Sequence, residues 1–216
     1  MSGTSMAGPH IAGVMALLKQ KHSTLNPYEL KSVLLAHGKV IHDADKKTYS
    51  VSRQGAGRVQ VAESLNAKIV TIPATLSFGL TDIEQQKTLA QEITLKNISS
   101  EAITVTPQWN GHKALQVSAP SVTLAAGESK KILVKAKITG SLMASANDEL
   151  DGFLKLVSDK EVVAQLPALA VAGTSLEEVR AFEVFKAKAE KGDARSQCEL
   201  GVCYDSGVGV TKNLTQ

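Results

Sequence analysis

The residues best suited to chemistry lie at the start of the chain, in Gly3-Thr4-Ser5-Met6-Ala7-Gly8-Pro9-His10-Ile11-Ala12-Gly13. A serine hydroxyl is a weak nucleophile at its ordinary pKa and gains from a helix N-terminus, where the dipole and unpaired backbone N–H groups favour negative charge. If Ser5 attacks a carbonyl, its own backbone N–H can steady the oxyanion that forms. Gly3 permits a sharp entry into the helix, and Ala7 and Gly8 leave room for close packing. A lone Thr-Ser pair ahead of a helix would read as an N-cap. An eleven-residue pattern with proline and glycine at set positions is far more specific.

Such a serine needs a general base, itself oriented by a carboxylate. No histidine is placed for that task by spacing. His10 lies five residues after Ser5, about 140° round the helix axis, and points away. It reads as structural. His22 is at the far end of the same helix, His37 and His42 flank the end of the next and read as solvated, and His112 follows Asn110-Gly111 in a predicted turn.

The elements that must hold Ser5 follow from periodicity. Ile11, Val14, Met15, Leu17 and Leu18 recur at helical spacing and predict a helix over Met6–His22, buried on several sides, with Pro9 near its start. Asn26-Pro27-Tyr28-Glu29 reads as N-cap, first-turn proline and capping-box glutamate of a second helix, ended by Gly38. Gln54-Gly55-Ala56-Gly57-Arg58-Val59 is a glycine turn leading into a short helix with Val61, Ala62 and Leu65.

The pattern then changes. Leu89–Leu95, Ile103–Thr106 and Ile132–Ile138 alternate apolar and polar residues with period two, separated by turn signals at 97–100, 110–111 and 126–129. Short strands at regular spacing predict an antiparallel β-sandwich, with Trp109 packed in or over a sheet. Helical spacing returns after Thr174-Ser175, with Val179, Phe182, Val184 and Phe185 on one face. Gly192-Asp193 makes a break, and a second helix carries Cys198, Leu200, Gly201, Val202 and Tyr204 before Gly207 and Gly209 end it. The fold class is thus mixed and multi-domain: a helical piece over 1–68, an all-β antiparallel sandwich over 69–172 and an α-helical hairpin over 173–216.

The composition excludes several classes. A hydrophobic fraction of 43%, a charged fraction of 21% and a net charge of +3 describe an ordinary globular chain. No dense basic block with interleaved aromatics supports nucleic-acid binding, and no apolar run reaches membrane-spanning length. Two cysteines, five residues apart, cannot form a disulfide framework and read as small buried apolar residues, and no metal-ligand spacing accompanies them. No signal peptide follows Met1, so either the protein is cytosolic or a targeting segment lies upstream.

The motif Gly3-Thr4-Ser5-Met6-Ala7-Gly8-Pro9, followed by His10-Ile11-Ala12-Gly13, resembles the serine-nucleophile segment of the subtilisin-like serine proteases, the subtilases. The likeness extends through Leu25-Asn26-Pro27 to Gly55-Ala56-Gly57-Arg58-Val59, about the first 65 residues. It implies an α/β catalytic domain of which 1–68 is the C-terminal part, a serine endopeptidase acting on polypeptides, and Ser5 as nucleophile with its backbone N–H as one oxyanion donor. In this family the chain order is Asp, His, Ser, so the resemblance places acid, base and a second, asparagine-borne oxyanion donor before Met1. The 216-residue chain is then expected to be inactive alone. Substrate preference is not legible in the residues present. No cofactor is implied; structural calcium is common in the family, but no residue here marks a site. Export to the cell exterior or envelope is implied for the parent.

Two weaker resemblances follow. Pro73–Gly79, Val122–Ser129 and Asp151–Leu156 resemble the fibronectin-III-like domains that trail the catalytic domain in larger subtilases, with a structural or substrate-positioning role. Ala189-Glu190-Lys191-Gly192-Asp193-Ala194, Gln197, Leu200-Gly201, Tyr204, Gly207 and Gly209-Val210 resemble a single Sel1-like helical repeat, which implies a protein partner through 173–216. Both chain ends read as cut, as in a fragment or truncated gene. The alternative to an enzyme piece is a non-catalytic interaction protein, in which sandwich and helix pair bind a partner and Ser5 is a relic.

Overall fold

The structure is a computed structural model that describes residues 3–81, 87–139, 149–172 and 175–206. Four helices open the chain: α1 (Thr4–Lys21), α2 (Pro27–Ala36), α3 (Val51–Gln54) and α4 (Val61–Leu65). Nine strands follow: β1 (Ile69–Ile72), β2 (Leu76–Thr81), β3 (Lys87–Asn97), β4 (Ile103–Gly111), β5 (Leu115–Ser118), β6 (Val122–Leu124), β7 (Ser129–Ile138), β8 (Glu149–Ser158) and β9 (Glu161–Ala172). Helices α5 (Ser175–Ala189) and α6 (Ala194–Ser206) close the described part.

The strands form a four-stranded sheet, β1-β3-β7-β5, and a five-stranded sheet, β2-β9-β8-β4-β6. Period-two alternation explains the layering. Ile132, Val134, Ala136 and Ile138 of β7 turn inward while Lys131, Leu133, Lys135 and Lys137 face out. The inward rows of both sheets, among them Ile93, Leu95, Val105, Val134, Leu154 and Leu166, share one apolar core. One pairing departs from the antiparallel expectation: β2 runs parallel to β9. The chain leaves β1 in one sheet and crosses at Pro73–Thr75 to the edge of the other, so β2 arrives from the far end instead of by a hairpin.

The turn signals at 97–100 and 126–129 mark real turns. Buried Asn97 donates its amide to the carbonyls of Glu101, Leu124 and Ala125, and accepts from the N–H and hydroxyl of Ser99. Gly127 adopts φ 74°, and Glu128 donates its N–H to Ala125 across the turn. Asn110-Gly111 is not a turn. Both residues end β4, paired with Phe153 and Gly152 of β8. A Cβ on either Gly111 or Gly152 would sit under 3 Å from the Trp109 ring, so this glycine pair makes space for the indole. Trp109 packs against the core as expected.

The outer face of the five-stranded sheet is covered by the helical segment. Val163, Gln165 and Pro167 of β9 and Phe153 of β8 are buried there. Gln165 donates its amide to the Gly38 carbonyl, Asp151 accepts from the Val51 N–H, and Ser52 donates to Glu149 at 2.6 Å. Gly38 does not end α2 as a left-handed cap. The helix stops at Ala36, and Gly38 is required because a side chain there would strike the Ala56 carbonyl. Gly57, at φ 97°, passes equally close to Lys39, whose backbone pairs with Arg58.

His37 is half-buried rather than solvated, and its Nδ1 meets the Val33 carbonyl at 2.8 Å. Burial pushes its pKa down, opposed by backbone contacts to Val33 and Val163 and by the Glu63 charge.

Helices α5 and α6 pack on each other, with Phe182, Ala189, Ser196 and Cys203 buried. Gly192, at φ 89°, makes the break, and Asp193 accepts from the Ser196 N–H at 2.9 Å to cap α6. The Ser196 hydroxyl and then its N–H hold the Asp193 carboxyl below its ordinary pKa. Cys203 is buried as expected, but Cys198 is exposed; both are free thiols. Thr174, Gly207, Gly209 and Val210, which the sequence reading used, lie outside the described residues. Among the described residues no helix is long and apolar enough to cross a membrane.

Candidate active site

Ser5 occupies the first turn of α1, which begins at Thr4, two residues earlier than periodicity suggests. Gly3 caps it at φ 147°, a conformation that side chains other than hydrogen rarely adopt. Its carbonyl accepts from the N–H groups of Met6 at 3.0 Å and Ala7 at 3.1 Å. No side chain caps the helix and no acidic residue lies in its first turn. The Ser5 N–H, at the second helical position, precedes any intrahelical acceptor and points outward with the positive end of the dipole.

Pro9 sits inside α1, not at its start. Having no N–H, it cannot donate to the carbonyl four residues back, which is that of Ser5 itself. The serine's main chain is therefore freed on both its N–H and C=O sides, while Gly3 and the turn behind hold it in place.

The surroundings of Ser5 are open. Ser5 is exposed, and the described residues give its hydroxyl no hydrogen-bond partner. His10 is also exposed and its Nδ1 meets the Met6 carbonyl one turn back at 2.7 Å. It packs on its own helix, not in a core and not toward Ser5. His22 Nε2 reaches the Leu65 carbonyl at 3.2 Å, His42 Nδ1 meets the Thr48 hydroxyl at 3.1 Å, and His112 Nδ1 accepts from the Ala114 N–H at 3.2 Å. None of the five histidines stands beside the serine as a base. Among the described residues no group of three His, Cys, Asp or Glu is arranged to hold a metal ion.

The expected burial of α1 is only partly realised. Val14 and Leu18 are buried against Leu25, Leu30, Val33 and Val70, whereas Met6, Ile11 and Leu17 are 41%, 37% and 46% exposed. Gly8 and Gly13 face open space, so their lack of a side chain accommodates no neighbour in this chain. The helix is anchored by its C-terminal half and presents its serine end to solvent.

Residues 1–57 match the model of the subtilase family. The chain is 26% identical over 172 residues to the minor extracellular protease Vpr of Bacillus subtilis, covering 78% of this chain and 21% of that protein. It is 28% identical over 204 residues to the C5a peptidase of Streptococcus pyogenes, covering 80% and 17%. It is 34% identical over 119 residues to the subtilisin-like protease SBT1.2 of Arabidopsis thaliana, covering 48% and 14%. The family likeness is thus to the subtilases, and residues 1–57 carry it. The chain spans about a fifth of the length of the first curated relatives it matches.

Proposed function

We propose that this chain carries the nucleophile of a subtilisin-like serine endopeptidase, with Ser5 as the attacking oxygen. The observation that carries the reading is the coincidence of a subtilase match over residues 1–57 with Ser5 in the uncapped first turn of an 18-residue helix. The Ser5 hydroxyl adds to the carbonyl carbon of a peptide bond. Negative charge then gathers on the former carbonyl oxygen, where the Ser5 N–H and the helix dipole stabilise it. The proton leaving Ser5 needs an acceptor, and the imidazole and carboxylate come from polypeptide outside these 216 residues. The isolated chain is therefore inactive in hydrolysis.

In this reading the two-sheet body is a structural or substrate-positioning module, as in fibronectin-III-like domains, and the α5–α6 pair is a Sel1-like surface for a protein partner. The enzyme acts on polypeptides outside the cell, as the name of the minor extracellular protease of Bacillus subtilis says of that relative. Expressing the chain joined to the coding sequence contiguous with its first codon, then measuring peptide hydrolysis for wild type and Ser5→Ala, tests it. Hydrolysis abolished by Ser5→Ala supports the reading; hydrolysis that survives the substitution overturns it.

A further inference from the structure

A cleft of about 430 Å³ lies where the 40–49 loop meets strands β4 and β8, away from Ser5. Its size falls within the range of small-molecule pockets, about 300–1,000 Å³. Its polar lining includes His42, Thr48, Tyr49, Asn110, His112, Asp151 and Lys155. We propose that this cleft binds a neutral carbohydrate, read by side chains from both the helical segment and the sheet.

The argument begins with unspent hydrogen-bonding capacity. His112 Nδ1 accepts from the Ala114 N–H, which leaves the neutral ring's proton on Nε2 as a donor. His42 uses only Nδ1, on Thr48. Asp151 accepts from the Val51 N–H, which fills only part of its carboxylate's accepting capacity. The Asn110 amide, the Lys155 ammonium and the Tyr49 hydroxyl likewise have none there. Donors and acceptors are thus interleaved on one concave surface, as hydroxyl groups, each donor and acceptor at once, require.

Charge and backbone narrow the class. Within the lining, the carboxylate of Asp151 is matched by the ammonium of Lys155. A polyanion would meet the carboxylate and a polycation the ammonium, so a neutral ligand fits best. Burial raises the Asp151 pKa and the Glu149 charge adds to the rise, while the Val51 N–H and neighbouring His112 oppose it. The floor strand β8 is paired on both sides, with β4 and β9, so no peptide can add there as a strand.

The test is an NMR titration of the full 216-residue chain with maltose, cellobiose and N,N′-diacetylchitobiose, with glucuronate and diglycine as charged arms. Saturable shifts at the His42 and His112 rings and the Asn110 amide are expected with at least one neutral sugar. Asn110→Ala removes an exposed side chain that bonds to no other described residue, and weakens binding about five-fold, the loss of one hydrogen bond. Asp151→Asn weakens it about ten-fold. Ser5→Ala leaves it unchanged, which separates this site from the proposed protease chemistry. No saturable shift with any of the three sugars, saturation only by a charged arm, or unaltered binding in both cleft variants overturns the proposal.

Discussion

The two ends of the helical segment obey opposite rules. At the serine end of α1 the backbone is left unsatisfied: an uncapped N-terminus, a proline that withholds a donor and apolar side chains facing solvent. At the α2–β1 junction the buried polar side chains are paired. Asn26 and Glu29 form a reciprocal capping box at 3.0 and 2.9 Å, and the second Glu29 oxygen takes Lys96 of β3 at 2.6 Å. Burial alone would raise the Glu29 pKa, but the Lys96 contact, the Asn26 N–H and the Lys96 charge outweigh it and leave the pKa lowered. Buried Ser32 accepts from the Thr71 N–H at 3.0 Å and donates to the Thr71 carbonyl, so one side chain occupies the outer edge of β1 as a neighbouring strand would. The contrast teaches where stability and reactivity are kept. The junction fastens the segment to the sheets, and the exposed first turn remains available for chemistry.

Substitutions along that contrast sharpen it. The largest effect falls at the root of α1. Leu18→Ala, at a fully buried site, costs about 3 kcal/mol in urea unfolding followed by helical circular dichroism, while Ile11→Ala on the open half changes stability by under about 0.5 kcal/mol. Equal costs would show that the open half is packed after all. Next, Ser32→Ala strands two buried backbone groups of Thr71 and costs about 2 kcal/mol; a neutral result would show that the β1 edge finds other partners. Asn26→Ala removes one half of the capping box and costs about 1 kcal/mol. Smallest, Gly8→Ala stabilises the isolated chain by about 0.5 kcal/mol, since the new methyl group faces open space. Destabilisation there would mean that the face is covered.

Much of this was legible in the sequence, for identifiable reasons. The capping box was readable because Asn, Pro and Glu each act locally, within one turn. The inward rows of β3, β4 and β7 were readable because each strand has a solvent face and a core face, so hydropathy alternates. The parallel β2–β9 pair was not, since register between distant strands leaves no local trace. Gly38 and Asn110-Gly111 were misread for a shared reason. Gly38 answers to Ala56, and Gly111 to Gly152 on the paired strand and to the Trp109 ring it makes room for, and neither to the turn its local context suggests. The tethers from Asp151 and Gln165 to the helical segment join residues about a hundred or more apart, beyond any periodicity argument. At the candidate site, the pattern around Ser5 predicted a helix N-terminus with a glycine entry, and the structure has one. The exposure of that helix was missed because its apolar residues read as buried whatever covers them.

The central claim is that Ser5 is a nucleophile whose base lies outside these residues. Intact-mass detection of a fluorophosphonate adduct tests it most directly, on the 216-residue chain and on the same chain joined to the coding sequence contiguous with its first codon. The account predicts no adduct on the chain alone, and in the longer protein a single adduct on Ser5 that Ser5→Ala removes. An adduct on Ser5 in the isolated chain, or a longer protein labelled at another serine while Ser5 stays unmodified, contradicts it.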